Sequence, residues 1–368
     1  MSTTPEPDGA EKPSSPTHLH GTTWRYLLRR TASDFIGHQG VDAAASLTFF
    51  SVLAIFPAGL AIMAVIGVIG DSDEVRQRLL SLFDGVAPQA VTDTADTILT
   101  SVAGSSGADI TLITSVAVAL WSSSIYVSAF GRTVNRIYGV AEGRPYWKRK
   151  PVQLLVTVVL LVAVMVMIAV VMASTPVLQN VGSWLGIGDT TIEVWNVARW
   201  GLFAVAAVVV IAILYKGTGN VRLPRFRWLG LGALVALLVM AAASVGFGFY
   251  VSNFASYNVT FGAFAGATIF LIWLFLINVA LLLGAEFNAQ VERGRELQAG
   301  MAAEERLQLP LRDTTVIANR ERAERITVHR GVLIREGRPL PPRPDSVIRR
   351  SAEWIGGVRA RFLSRTRG

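Results

Sequence analysis

Ser124, Ser128, Arg132 and Asn135 follow one another at intervals of four, four and three residues. That spacing sets them on one face of a helix. Two hydroxyls leading to a guanidinium and a carboxamide would line a hydrated path for a polar solute if the face turned into a helical bundle. The same small serines would equally allow close helix packing and hydrogen-bond the neighbouring backbone. Arg136 lies one turn beyond Arg132, and Glu286 closes a long apolar run in Gly284-Ala285-Glu286-Phe287-Asn288. A carboxylate at such a boundary pairs or faces water, so a Glu286–Arg132 or Glu286–Arg136 pair is expected to clamp two helices together. A solvated interfacial carboxylate is the alternative. Ser124, Ser128, Arg132, Asn135, Arg136 and Glu286 together form the expected substrate path or cytoplasmic gate.

Other chemistry finds little support. The four histidines, His18, His20, His38 and His329, lie outside the apolar runs, and no cysteine is present. No His, Asp or Glu cluster has metal-ligand spacing. Neither a GxxxxGK[ST] loop nor a GxSxG elbow occurs. The expectation is therefore no catalytic residue, no metal, no cofactor and no enzyme activity.

The elements that position these residues are apolar and long. Ala43–Gly70, Ile110–Gly131, Pro151–Ala173, residues 197–216, Trp228–Val251 and Phe261–Ala285 read as six membrane spans, since about 20 apolar helical residues cross a bilayer core. The Lys/Arg counts before, between and after them are 4, 2, 6, 0, 4, 0 and 17, with Arg199 at the start of the fourth left out and Lys216 at its end counted in the loop that follows. This alternation predicts six crossings with both termini cytoplasmic. The fold expected is an all-α polytopic membrane bundle. The fourth span is the weakest, with sixteen uncharged residues between Arg199 and Lys216. Pro57 should kink the first span, and Gly262 and Gly266 form a GxxxG that would pack the sixth span closely on a neighbour.

Around the spans, residues 1–22 read as a disordered leader, rich in Pro, Ser and Thr and without a signal-peptide core. Trp24, Leu27, Leu28, Ala32, Phe35 and Ile36 predict an amphipathic helix at the cytoplasmic interface. The acidic stretch 71–109 predicts two short external helices. The membrane domain should cover residues 23–295. A basic tail follows over 296–368, with a Pro-rich linker at Pro339–Pro344 and an interfacial helix at Ser346–Leu363.

Three ordered segments resemble the YihY/virulence factor BrkB family. They are Ala43-Ala44-Ala45-Ser46-Leu47-Thr48-Phe49-Phe50 through Phe56-Pro57, Asn135-Arg136-Ile137-Tyr138-Gly139, and Trp273 followed by Leu283-Gly284-Ala285-Glu286. The similarity spans roughly residues 25–295. Where members of that family commonly carry Pro-Asn after the fourth span, this chain has Thr218-Gly219-Asn220. The resemblance implies a bacterial inner-membrane, multi-pass protein of envelope or transport type, moving a lipid or small solute. A non-transporting scaffold is the alternative, and the family's historical ribonuclease BN label is a third reading that the residues do not favour. Expected partners are membrane lipids, their anionic headgroups meeting the basic loops and tail. Homo-oligomerisation is left open, and no nucleic acid is expected.

Overall fold

The computed structural model describes residues 12–13, 18–69, 108–172, 189–223, 226–253 and 263–340. The expected external helices within 71–109, Gly262 and the Ser346–Leu363 helix lie outside them, as does most of the leader. Among the described residues the chain is helical, with one isolated antiparallel bridge between Val221 and Leu311.

The first helix, α1 (Gly21–Gly37), buries Leu27, Thr31 and Phe35, spaced one turn apart. Its expected apolar face is divided. Leu28 and Ile36 are exposed, whereas Trp24 stacks on Phe287 of the last bundle helix at 6.2 Å. Two residues, His38 and Gln39, join α1 to the next helix. His38 N–H donates to the Asp34 carbonyl, and Gln39 takes a left-handed φ of 57°. Gly40 opens α2 (Gly40–Ile69) against the Phe35 ring, where a Cβ would fall 2.5 Å from the aromatic carbon. Only glycine lets the turn close that tightly. Helix α2 runs on through Pro57, whose missing N–H leaves the Leu53 carbonyl without its helical donor.

Helix α3 (Ala108–Ile137) ends at Gly139, which has φ 63° and gives the Arg136 carbonyl its N–H. A short loop leads to α4 (Tyr146–Met172). Helix α5 (Asp189–Thr218) has 30 residues, so the segment expected to be the weakest span is as long as α2 and α3. Its helix continues ten residues N-terminal of Arg199, whose guanidinium lies over the Trp200 ring. Helix α6 (Phe226–Asn253) pairs extensively with α7 (Ala263–Gln298). At 36 residues, α7 is about 54 Å long and runs three turns past Glu286. Residues 301–313 then fold back beside the loop at 219–222, within the compact unit that extends to Thr315. A second unit begins at Val316 and holds most of α8 (Thr315–Arg335), a helix exposed along most of its length.

The main core joins α2, α3, α5, α6 and α7 around Leu47, Phe130, Val134, Tyr215, Leu229 and Leu282. Phe130 and Tyr215 stack at 6.0 Å. Close backbone contact occurs at Gly232 and Gly284 and not at Gly266, the described residue of the expected GxxxG. A Cβ on Gly284 would lie 2.4 Å from the Gly232 carbonyl oxygen, whereas one on Gly266 would meet nothing within 4 Å. At Gly284, about five turns along α7 from Gly266, the Gly232 carbonyl, the Tyr215 hydroxyl of α5 and Ala236 crowd the position of a Cβ.

Among the described residues, four segments are long and apolar enough to cross a membrane: Tyr146–Met167, Ala198–Thr218, Trp228–Val251 and Gly266–Gln298. A shorter apolar segment, Gly40–Ile55, belongs to α2. Most residues of these segments face outward, among them Leu155, Val162, Val205, Leu238 and Val245. Apolar side chains turned outward are costly in water and favourable in lipid. The molecule is an all-α membrane bundle.

Candidate functional site at one end of the bundle

The polar residues collect in three networks near one end of the bundle, with one node deeper inside. The first network joins α3 to α4. Ser128 Oγ lies 2.7 Å from Gln153 Oε1, and Ser124 Oγ donates to the Trp121 carbonyl at 2.6 Å. The Lys150 ammonium donates to Ser124 Oγ, sits 3.5 Å from the Trp121 carbonyl oxygen, and lies 4.2 Å from the centre of the Trp121 ring. Lys150 is only 8% exposed. Long basic side chains near a membrane boundary ordinarily extend toward water. This one reaches instead to a residue eleven positions before Arg132, deeper along α3.

The predicted α3 stripe is not buried throughout. Asn135 is buried, whereas Arg132 and Arg136 are exposed. Asn135 joins a second network built from three loops. Its Oδ1 accepts the Asn220 backbone N–H at 2.7 Å, and its Nδ2 donates to Glu142 at 3.1 Å. Arg144 grips Glu142 through Nε and Nη2 at 2.8 and 2.9 Å, and its Nη2 also reaches the Thr218 carbonyl. Asn220 Nδ2 donates to the Ala141 and Asp313 carbonyls at 3.1 and 3.0 Å. Gly143 lies so close that a Cβ there would fall 1.8 Å from the Asp313 carbonyl oxygen. Burial opposes ionisation of Glu142, but the two-point Arg144 contact prevails and holds its pKa below the usual carboxylate value.

Glu286 centres the third network, and its partner differs from the expected arginines. It is fully buried, with one oxygen 3.0 Å from His38 Nδ1 and the other accepting from Gln290 Nε2 at 2.8 Å. Gln290 also donates to Asp34 at 3.0 Å and accepts from Arg293 Nε at 3.1 Å. The expected Glu286–Arg132 and Glu286–Arg136 pairs are thus absent. Helix α7 meets α1, α2 and α6 far more than α3, so the α1–α2 turn reaches Glu286 first. Arg132 turns the other way and lies over the Phe50 ring at 5.6 Å. About two and three turns past Glu286 on α7, Glu292 and Glu296 hold Lys12 at 3.1 and 3.0 Å, and Arg295 pairs with Glu292 and covers Trp228.

The deeper node is Asn278 on α7. Its Nδ2 lies near Thr48 and Ser51 of α2, and its Oδ1 accepts from the Tyr126 hydroxyl of α3 at 3.0 Å. Sequence reasoning missed Asn278, Gln153, Lys150, His38 and Gln290. The available signal for the first two was a polar side chain inside an otherwise apolar run, which is costly to bury unless partnered. Among the described residues, no three His, Asp or Glu side chains converge as a metal-ligand group.

The arrangement is that of helices bound by buried polar contacts, with two buried cations, Lys150 and Arg293, hydrogen-bonded to neutral groups. The ribonuclease-like protein YfkH of Bacillus subtilis (strain 168) is 25% identical over 271 residues, covering 74% of this chain and 97% of YfkH. A UPF0761 membrane protein of Alkalilimnicola ehrlichii is 30% identical over 260 residues, covering 67% of this chain and 53% of that protein. The UPF0761 membrane protein azo3165 of Azoarcus sp. (strain BH72) is 28% identical over 289 residues, covering 77% of this chain and 68% of its own. The chain therefore spans about half to two thirds of these two UPF0761 relatives. No solved structure matches. The model of the virulence factor BrkB family matches residues 31–307, and with its outward apolar helices this chain is a multi-pass bacterial membrane protein that belongs to that family.

Proposed function

We propose that the protein crosses the bacterial inner membrane six times with both termini cytoplasmic, and moves a lipid or small anionic solute along the α3–α4 seam. The observation that carries this reading is Lys150. An ammonium buried among apolar helices, with no carboxylate on it, marks a solute path more readily than a structural pair. Ser124, Ser128 and Gln153 continue the polar seam beside it. Asn135 sits at the loop end of α3, where the three-loop network would act as a gate.

Reconstitution of the purified full chain in liposomes tests this, by following transbilayer movement of fluorescent phospholipids and uptake of small labelled anions. Wild-type protein should accelerate at least one of these, and Lys150→Met should abolish it while the protein stays folded. A second reading, a non-transporting envelope scaffold, draws support from the hydrogen bonds that already satisfy both serines. Inactive wild-type protein would favour it. Metal-dependent nuclease activity, suggested only by the name of YfkH, would require a metal-ligand cluster, and among the described residues no three His, Asp or Glu side chains form one.

A further inference from the structure

We propose that the start of α4, with Arg149 and Arg132, binds the phosphate of an anionic phospholipid headgroup. Four observations converge there. The first turn of α4 carries no acidic residue, although the positive end of a helix dipole favours negative charge. In its place stand Lys148, Arg149 and Lys150. Arg149 Nε is buried and has no hydrogen-bond partner. Its guanidinium lies over the Tyr146 ring at 5.9 Å, and α4 packs on α3, whose last turns carry Arg132.

The nearby carboxylates are already engaged. Asp313 pairs with Lys148 at 2.8 Å, and Glu142 is gripped by Arg144. Elsewhere at this end of the bundle, Lys12, Arg144 and Arg295 each meet a carboxylate. Arg149 and Lys150, the next two cations of α4, do not, and neither does Arg132. A bound phosphate would neutralise Arg132 and Arg149 together and accept from the N–H groups of Tyr146 and Trp147, those of Lys148 and Arg149 being bonded to the Pro145 carbonyl.

The surroundings favour a lipid over a free anion. Tyr146 and Trp147 are exposed beside the cations, as aromatic side chains are at a bilayer interface. Leu155, Val159, Val162 and Val166 then continue an exposed apolar strip along α4, on which an acyl chain can lie. The site does not depend on the transport reading, because it requires only that the headgroup is held.

Native mass spectrometry of the detergent-solubilised full chain, titrated with phosphatidylglycerol, phosphatidylcholine or inorganic phosphate alone, tests it. Phosphatidylglycerol should bind in preference to phosphatidylcholine. Arg149→Gln and Arg132→Gln should each weaken its binding about fivefold, the equivalent of ~1 kcal/mol per basic residue near an anionic lipid. Arg149→Lys should keep most of the affinity, and Arg325→Gln on α8 should keep all of it. Thermal unfolding of each variant identifies any loss caused by misfolding. Equal binding of both lipids overturns the proposal, as does unchanged binding in folded Arg149→Gln and Arg132→Gln. Full competition by inorganic phosphate would assign the site to a free anion and overturn the lipid assignment.

Discussion

His38 Nδ1 and Glu286 Oε2 meet at 3.0 Å, joining the turn between α1 and α2 to the middle of α7. The carboxylate is fully buried and the imidazole about one third exposed. The hydrogen bond to Glu286 raises the His38 pKa above its ordinary value, outweighing burial. The imidazolium is therefore favoured in the folded protein, and the contact is charge-assisted.

This contact predicts a pH dependence of stability. A histidine whose folded pKa is raised contributes fully below its unfolded value, about 6.5. That contribution falls away as pH rises through the higher folded value. Thermal unfolding in detergent should show wild type losing stability on going from pH 6 to 9, and His38→Gln losing less over the same range. Parallel curves would reject the contact as a source of pH sensitivity.

Coupling energies should separate the true partner of Glu286 from the expected ones. His38→Gln and Glu286→Gln each remove one side of a buried contact, at a cost on the order of 1–3 kcal/mol. The double variant should lose less than the sum. Arg136→Ala combined with Glu286→Gln should be additive, since Arg136 is exposed and does not reach Glu286. Coupling to Arg136 in place of His38 would contradict the observed geometry.

Helix packing makes a contrast between glycines. At Gly284 a Cβ would press on the Gly232 carbonyl, the Tyr215 hydroxyl and Ala236. Gly284→Ala should therefore destabilise by about 1–3 kcal/mol, the usual cost of overpacking. Gly266→Ala should change stability little, because the space around it is open. Equal effects on the unfolding temperature would show that α6 and α7 are not held at this crossing.

Membrane topology can be read by thiol labelling, because the chain has no cysteine to remove. Ser183→Cys and Ser256→Cys should react from outside intact cells, and Ala141→Cys should react only after the membrane is opened. Ala141 is the better probe of its loop because its side chain is exposed, whereas Gly143 has no room for one. External labelling at Ala141 would rule out the six-crossing arrangement with cytoplasmic termini.

Much of this architecture was legible in the residue order. Apolar runs around 43–70, 110–131, 151–173, 228–251 and 261–285 coincide with α2, α3, α4, α6 and α7, because long apolar segments have a strong preference for helix within lipid. Helix α1 could be read from its periodicity, and the functional weight of Asn135 and Glu286 from polar groups at the ends of apolar runs. Their partners could not. Periodicity specifies a face only to within about one residue's rotation, and Asn135 turned inward while Arg132 and Arg136 turned outward. Nor does order along the chain reveal which helices become neighbours. The packing of α1 on α7 brought His38 rather than an arginine to Glu286, the return of residues 301–313 put Asp313 against Asn220, and the pairing of α3 with α4 buried Lys150 on Ser124. Bilayer thickness and side-chain polarity act on each segment separately and so were readable from the chain alone. Hydrogen-bond partners depend on contacts between segments far apart in the chain, and only the packed structure decided them.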